Sequence, residues 1–148
     1  MEMFGVAESS NPKNKTDEEK QQIALSFLDK AYAIRYDRQG PKHVDTVSNL
    51  SRIASALTKL RRYEEARGCF YEVLKLREAI YGRHPSAACS ARALALMYTK
   101  LLDLPKAKYY LNHALKIHEE NGLEHHSVAR AIRKELSDLK HIKARVEI

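Results

Sequence analysis

The stretch YEEARGCFYEVLKLREAIYGRHP, Tyr63 to Pro85, decides how this chain folds. Within it Ala66, Phe70, Val73 and Leu76 stand four, three and three residues apart, the spacing of a single stripe along a helix. The stretch closes on Gly82, a residue able to take the positive φ of a helix C-cap, and on His84 and Pro85, which begin a new element. Working outward, the same spacing recurs upstream as Ala24, Leu28, Ala31 and Ile34, and downstream as Ala107, Leu111, Ala114 and Ile117. The shift between copies is 41 or 42 residues. The punctuation recurs with it: His43, His84 and His125 follow shortly after Gly40, Gly82 and Gly122. Self-similarity at a fixed period of this length is the signature of a repeat architecture, in which stacked units share one continuous core.

Each period has room for two helices. After His43 comes an apolar stripe of Val47, Leu50, Ile53, Ala54 and Leu57; after His84 the same places hold Ala88, Ala91, Leu94, Ala95 and Tyr98. Ala54 and Ala95 coincide, and a one-methyl side chain lets a second helix approach closely, as an antiparallel hairpin requires at its crossing. The hairpin turns fall at Leu60 to Arg62 and Leu101 to Asp103, with Asp103 a candidate N-cap and Pro105 tolerated in the first turn that follows. Six helices are predicted: Asp17 to Arg38, Val44 to Leu60, Tyr63 to Tyr81, Pro85 to Leu101, Leu104 to Asn121 and His126 to Val146. The last carries Val128, Ile132, Leu136, Leu139 and Ile142 on one side and charge elsewhere, the pattern of a helix that closes a stack. Residues 1–15 are expected to form a flexible polar tail and residues 16–148 the repeat domain.

These marks resemble the tetratricopeptide repeat, carried here by Leu50, Ile53, Ala54, Leu57, Ala66, Phe70 and Val73, then by Ala91, Leu94, Ala95, Tyr98, Ala107, Leu111 and Ala114. The period and the strings Tyr63-Glu64-Glu65-Ala66, Leu76-Arg77-Glu78 and Tyr81-Gly82-Arg83-His84-Pro85 are similar to the variant repeat of kinesin light chains. The resemblance, spanning about Ala24 to Ser137, implies an all-α, right-handed superhelical stack of antiparallel helix hairpins, about two and a half repeats with a terminal capping helix. It implies a protein or peptide partner as well, this repeat being a generic support for such binding. It carries over no specific ligand code. Ser55 and Leu96 stand where carboxylate-clamping members use asparagine, and Ser51, Arg52, Arg92 and Ala93 stand where kinesin light chains do.

Composition narrows the function classes. At 148 residues and 17.0 kDa, with 44% hydrophobic and 30% charged residues, the chain matches one soluble domain and has no apolar run long enough to span a bilayer. Lysine and arginine exceed the acids by 26 to 19, a net charge of +7 that favours acidic partners. Cys69 and Cys89 lack a second cysteine at metal-ligand spacing, so neither a zinc site nor a disulfide framework is legible, and a reducing intracellular compartment, cytoplasmic or cytoskeletal, is expected.

No catalytic constellation emerges, no metal site is expected and no cofactor is implied. The histidines are read as repeat punctuation, since the adjacent His125 and His126 do not share a helix face. Cys69 sits on a packed helix, where a thiol behaves as a small hydrophobe. Glu64-Glu65 and Asp17-Glu18-Glu19 suit helix N-termini, where the macrodipole favours acids. The glycines are nowhere clustered into a phosphate cradle.

What remains is surface. The first helix of each hairpin should line a concave groove with Ser51, Ser55, Thr58 and Lys59, then Arg92, Leu96, Thr99 and Lys100, then Arg133, Ser137 and Lys140. That face is expected to be basic and free of carboxylates, so the preferred function is a non-catalytic scaffold binding an acidic peptide or protein surface there. One alternative is a structural subunit of a cytoskeletal or organellar assembly. It would dock or self-associate through the surplus apolar surface of the first helix, at Ile23 and Phe27, with Met1 to Val6 as a partial lid. A less favoured alternative is nucleic-acid binding through Arg130, Arg133, Lys134, Lys140, Lys143 and Arg145 of the last helix.

Overall fold

A computed structural model describes residues 16–147, with side chains through residue 142; residues 1–15, including the expected tail and the Met1 to Val6 lid, lie outside it. The described chain is six helices in sequence: α1 (Asp17–Gln39), α2 (Val44–Lys59), α3 (Tyr63–Tyr81), α4 (Pro85–Lys100), α5 (Leu104–Glu120) and α6 (Ser127–Glu147). Each packs principally on its neighbours in sequence, so α2 and α3 form one hairpin and α4 and α5 the next, with α1 and α6 flanking them. The expected boundaries differ from those observed by at most a residue.

The predicted stripes are the core. Ala66, Phe70, Val73 and Leu76 are buried on α3, and Ala107, Leu111, Ala114 and Ile117 on α5. At the hairpin crossings Ala54 and Ala95 are sealed from solvent, as close helix approach demands. Leu94, Met97 and Ile117 are the large side chains at the centre, each contributing roughly 1.5–3 kcal/mol through burial. The stripe on α1 departs from its copies. Leu25 is the one buried residue there, Ala24, Leu28 and Ala31 are partly covered, and Ile34 is 52% exposed. No described helix packs outside α1, so Ile34 lacks the partner that buries its equivalents Leu76 and Ile117.

Turn chemistry follows the repeat. Arg61 and Leu102, 41 residues apart, both adopt left-handed backbone, at φ 60° and 61°. At the first turn the Arg62 amide donates to Leu57 O and the Arg61 amide to Thr58 O; Asp103 and Leu102 repeat this onto Tyr98 O and Thr99 O. These are Schellman closures without glycine. Asp103 caps α5 by accepting from the Lys106 amide. His43 Nδ1 accepts from the Asp45 amide at 3.1 Å and His84 Nδ1 from the Ser86 amide at 3.1 Å. In the third copy it is His126, not the expected His125, whose Nδ1 accepts, from the Val128 amide at 3.2 Å. Pro85 fixes the first residue of α4 directly after His84; its counterpart one repeat later is His126, and α6 starts one residue further on.

Polar ties join successive helices. Asn49 Nδ2 donates to Leu28 O at 3.0 Å, and Arg77 Nη1 donates to Ser90 Oγ at 2.8 Å. Arg83, in the loop before α4, pairs with Glu120 at the end of α5, while Asn121 Nδ2 donates to Arg83 O at 2.9 Å. The Arg83 contact holds the Glu120 carboxyl below its ordinary pKa.

Candidate partner-binding groove

The groove is built by repeat equivalence between α4 and α6. At a shift of 41 residues Ala88, Ala91 and Tyr98 map onto Ala129, Ile132 and Leu139, and all six are buried, so the two helices present the same core face. The faces beside it differ. Leu94 and Met97 are fully buried on α4, with the Thr58 hydroxyl of α2 donating to Met97 Sδ at 3.5 Å. Their equivalents on α6 are Glu135 and Asp138. Carboxylates cannot be sealed into an apolar seam without a large desolvation cost, and here the seam stays open. A pocket of about 510 Å³ lies between α4 and α6, with Ala93, Leu96, Leu111, Leu139 and Ile142 supplying most of its lining.

The polar lining is Arg92, Glu135, Asp138, Thr99 and Cys89. Arg92 Nε donates to Glu135 Oε1 at 2.8 Å, and Nη2 reaches the same oxygen. Bonding to a carboxylate raises the guanidinium pKa further. Both partners are about one-third exposed, which limits the pair's worth to under about 1 kcal/mol. The expectation of a carboxylate-free face is thus corrected: Glu135 and Asp138 share it, and Arg92 is compensated within the protein.

The other predicted groove residues divide. Leu96, 48% exposed, and Thr99 line the pocket with Arg92. Ser55 and Lys59 are exposed on α2 and Ser51 is half-buried. Thr58 and Thr99 spend their hydroxyl protons on Ala54 O and Ala95 O, at 2.8 and 3.0 Å. Lys100 Nζ sits 6.0 Å from the ring centroid of Tyr63. Arg133, Ser137 and Lys140 are exposed but do not line the pocket. They are the equivalents of Arg92, Leu96 and Thr99, whose side of α4 looks toward the next helix in the stack; no described helix follows α6, so the same side of α6 faces out. Arg130 and Lys134 are exposed with them, and the side chains of Lys143 and Arg145 lie outside the described residues. At the opposite end Ile23 and Phe27 are 39% and 67% exposed.

Sequence reasoning missed Glu135, Asp138, Leu139 and Ile142 as groove residues. The signal was available: carrying Leu94 forward by one period lands on a glutamate. Among the described residues no group of three histidine, cysteine or acidic side chains converges as metal ligands, and no helix is long and apolar enough to cross a membrane. His118 is buried with neither ring nitrogen hydrogen-bonded, and burial, then His126 and Arg92, lower its pKa.

A family model described as tetratricopeptide repeat matches residues 45–120. Among solved structures, two crystal forms of a Podosopora anserina protein described as a kinesin light chain with nearly identical TPR-like repeats superpose with a TM-score of 0.75 at 20% identity. They cover 86% of this chain. BtubC (BKLC) from P. vanneervenii superposes at 0.64 with 23% identity over 87% of it. The chain spans 60–61% and 52% of those proteins' lengths, and at such identities the likeness is one of fold. No curated protein matches.

Proposed function

The chain belongs to the tetratricopeptide repeat family, whose repeats are generally protein-interaction scaffolds, and from that premise we propose that it captures a partner peptide on its concave side without catalysing a reaction. The observation that carries this reading is the open seam between α4 and α6, large enough to take an apolar side chain of the partner. Lys59 and Lys100, exposed at the C-terminal ends of α2 and α4, supply the attraction for acidic residues elsewhere in the segment. Groove residues Ser51, Ser55, Thr58 and Thr99 flank the path between. The free thiols of Cys69 and Cys89 suit a reducing intracellular compartment.

A selection of random peptides on the protein tests the reading. Binders should share an apolar anchor and bind Ala93→Trp, which fills the seam, at least about tenfold more weakly than wild type, the scale of one lost anchor residue. Binders that ignore Ala93→Trp would move the site elsewhere.

A second reading, assembly through the N-terminal end, is favoured by one observation: Phe27 and Ile23 stand a turn apart on the outward side of α1, joined by Ile34. An exposed apolar row of this kind marks an interface more often than idle surface.

A further inference from the structure

On the other side of the stack, between the second helices α3 and α5, lies a recess of about 260 Å³. Its walls include Tyr71, Lys75 and Glu78 from α3 and Tyr109, Tyr110 and His113 from α5. The rings of Tyr109 and Tyr110 stand 5.0 Å apart at 87°, forming two walls of a corner. Glu78 Oε1 and His113 Nε2 are 2.9 Å apart, which holds the carboxylate against the recess. Packing does not require these rings. Tyr109 is 64% exposed, and one repeat earlier the places of Tyr109, Tyr110 and His113 hold Gly68, Cys69 and Glu72.

Perpendicular tyrosine faces beside a carboxylate suit one ligand chemistry. Each ring face carries negative potential, so a cation on an apolar stem gains from the rings and from the acid together. The protein uses this chemistry on itself. Lys75 Nζ rests 5.1 Å from the Tyr71 ring centroid, and Arg67 and Lys106 lie over Tyr98, which stacks on Tyr110. We propose that the recess formed by Tyr71, Tyr109, Tyr110 and Glu78 is a second binding site, which receives a lysine or arginine side chain of a partner segment. Lys75 is its placeholder: its flexible stem withdraws when the incoming cation takes the Tyr71 face. This site is separate from the α4–α6 seam and does not depend on it.

The experiment is an NMR titration of the full chain with N-acetyl-arginine N-methylamide, following the tyrosine ring and His113 signals. The neutral citrulline analogue and inorganic phosphate serve as comparison probes. The arginine probe should produce saturable shifts at Tyr71, Tyr109 and Tyr110 with a dissociation constant on the order of millimolar, as expected for so small a ligand. Lys75→Gln should tighten binding about threefold to tenfold, and Tyr109→Ala, on an exposed ring that leaves the core intact, should weaken it by a similar factor. Equal shifts with citrulline, stronger shifts with phosphate, weaker binding by Lys75→Gln, or no saturable shift at all would each overturn the proposal.

Discussion

Arg92 and Glu135, 43 residues apart in the chain, meet across the seam between α4 and α6, Nε to Oε1 at 2.8 Å. The pair neutralises the cation that sequence alone offers as the groove's strongest lure for an acidic ligand. Releasing it should therefore change binding more than folding. Glu135→Gln is expected to lower stability by less than about 1 kcal/mol, since both partners are partly solvated. It should tighten binding of an acidic groove peptide severalfold by freeing the guanidinium. Thermal melting and calorimetric titration of the same two proteins check both halves.

Most of the fold was legible because repeat period and core stripe say the same thing twice. Ala54 and Ala95 could be named as crossing points from spacing alone, and the buried stripes of α3 and α5 are those the sequence spacing selects. The groove was less legible, since its lining depends on which side of each helix faces the next repeat, a relation between helices and not within one. Arg133, Ser137 and Lys140 were chosen by correct equivalence with Arg92, Leu96 and Thr99, yet on α6 that side has no described helix opposite it. The capping shift from His125 to His126 escaped for a similar reason: the core period is 41, but Pro85 has no counterpart at the start of α6.

Ala54→Leu and Ala95→Leu test the crossing points. Both sites are closed to solvent, so three added carbons must push the helices of each hairpin apart. Each substitution should destabilise by about 1–3 kcal/mol in chemical denaturation. Neutral effects at both would contradict the helix register.

The two turns without glycine should be improvable. Left-handed backbone costs an L-residue about 1–2 kcal/mol, and glycine recovers part of this while losing more chain entropy on folding. Leu102, 74% exposed at φ 61°, gives up little packing. Leu102→Gly is predicted to raise stability by up to about 1 kcal/mol, with Arg61→Gly close behind, measured as a shift in melting temperature. A decrease at both positions would contradict this.

His118 links stability to pH. Its folded pKa lies below the ordinary value of 6.5, so the unfolded chain binds the proton more tightly. The associated stability is present above about pH 6.5 and is lost as pH falls from there toward the folded pKa. His118→Leu removes that proton linkage and two unpaired buried nitrogens at once. Its stability should fall less steeply than wild type below pH 6.5, and at pH 7.5 it should be unchanged or higher. Parallel curves for the two proteins would assign the acid sensitivity to other groups.

Phe27→Glu tests assembly through α1. At 67% exposure the ring contributes little to the isolated fold, so melting should move by less than about 1 kcal/mol. Any self-association seen by sedimentation at high concentration should weaken. Undiminished association in the variant would remove α1 as the interface.

The seam between α4 and α6 can be watched directly through Cys89, an exposed thiol that lines it, while Cys69 is half-buried and its pKa is raised by burial. In a Cys69→Ser protein the rate of thiol modification at Cys89 should fall at least about tenfold when a selected peptide saturates the groove, because a seated side chain excludes reagent from the pocket. An unchanged rate with peptide bound would place the ligand elsewhere and contradict the groove account.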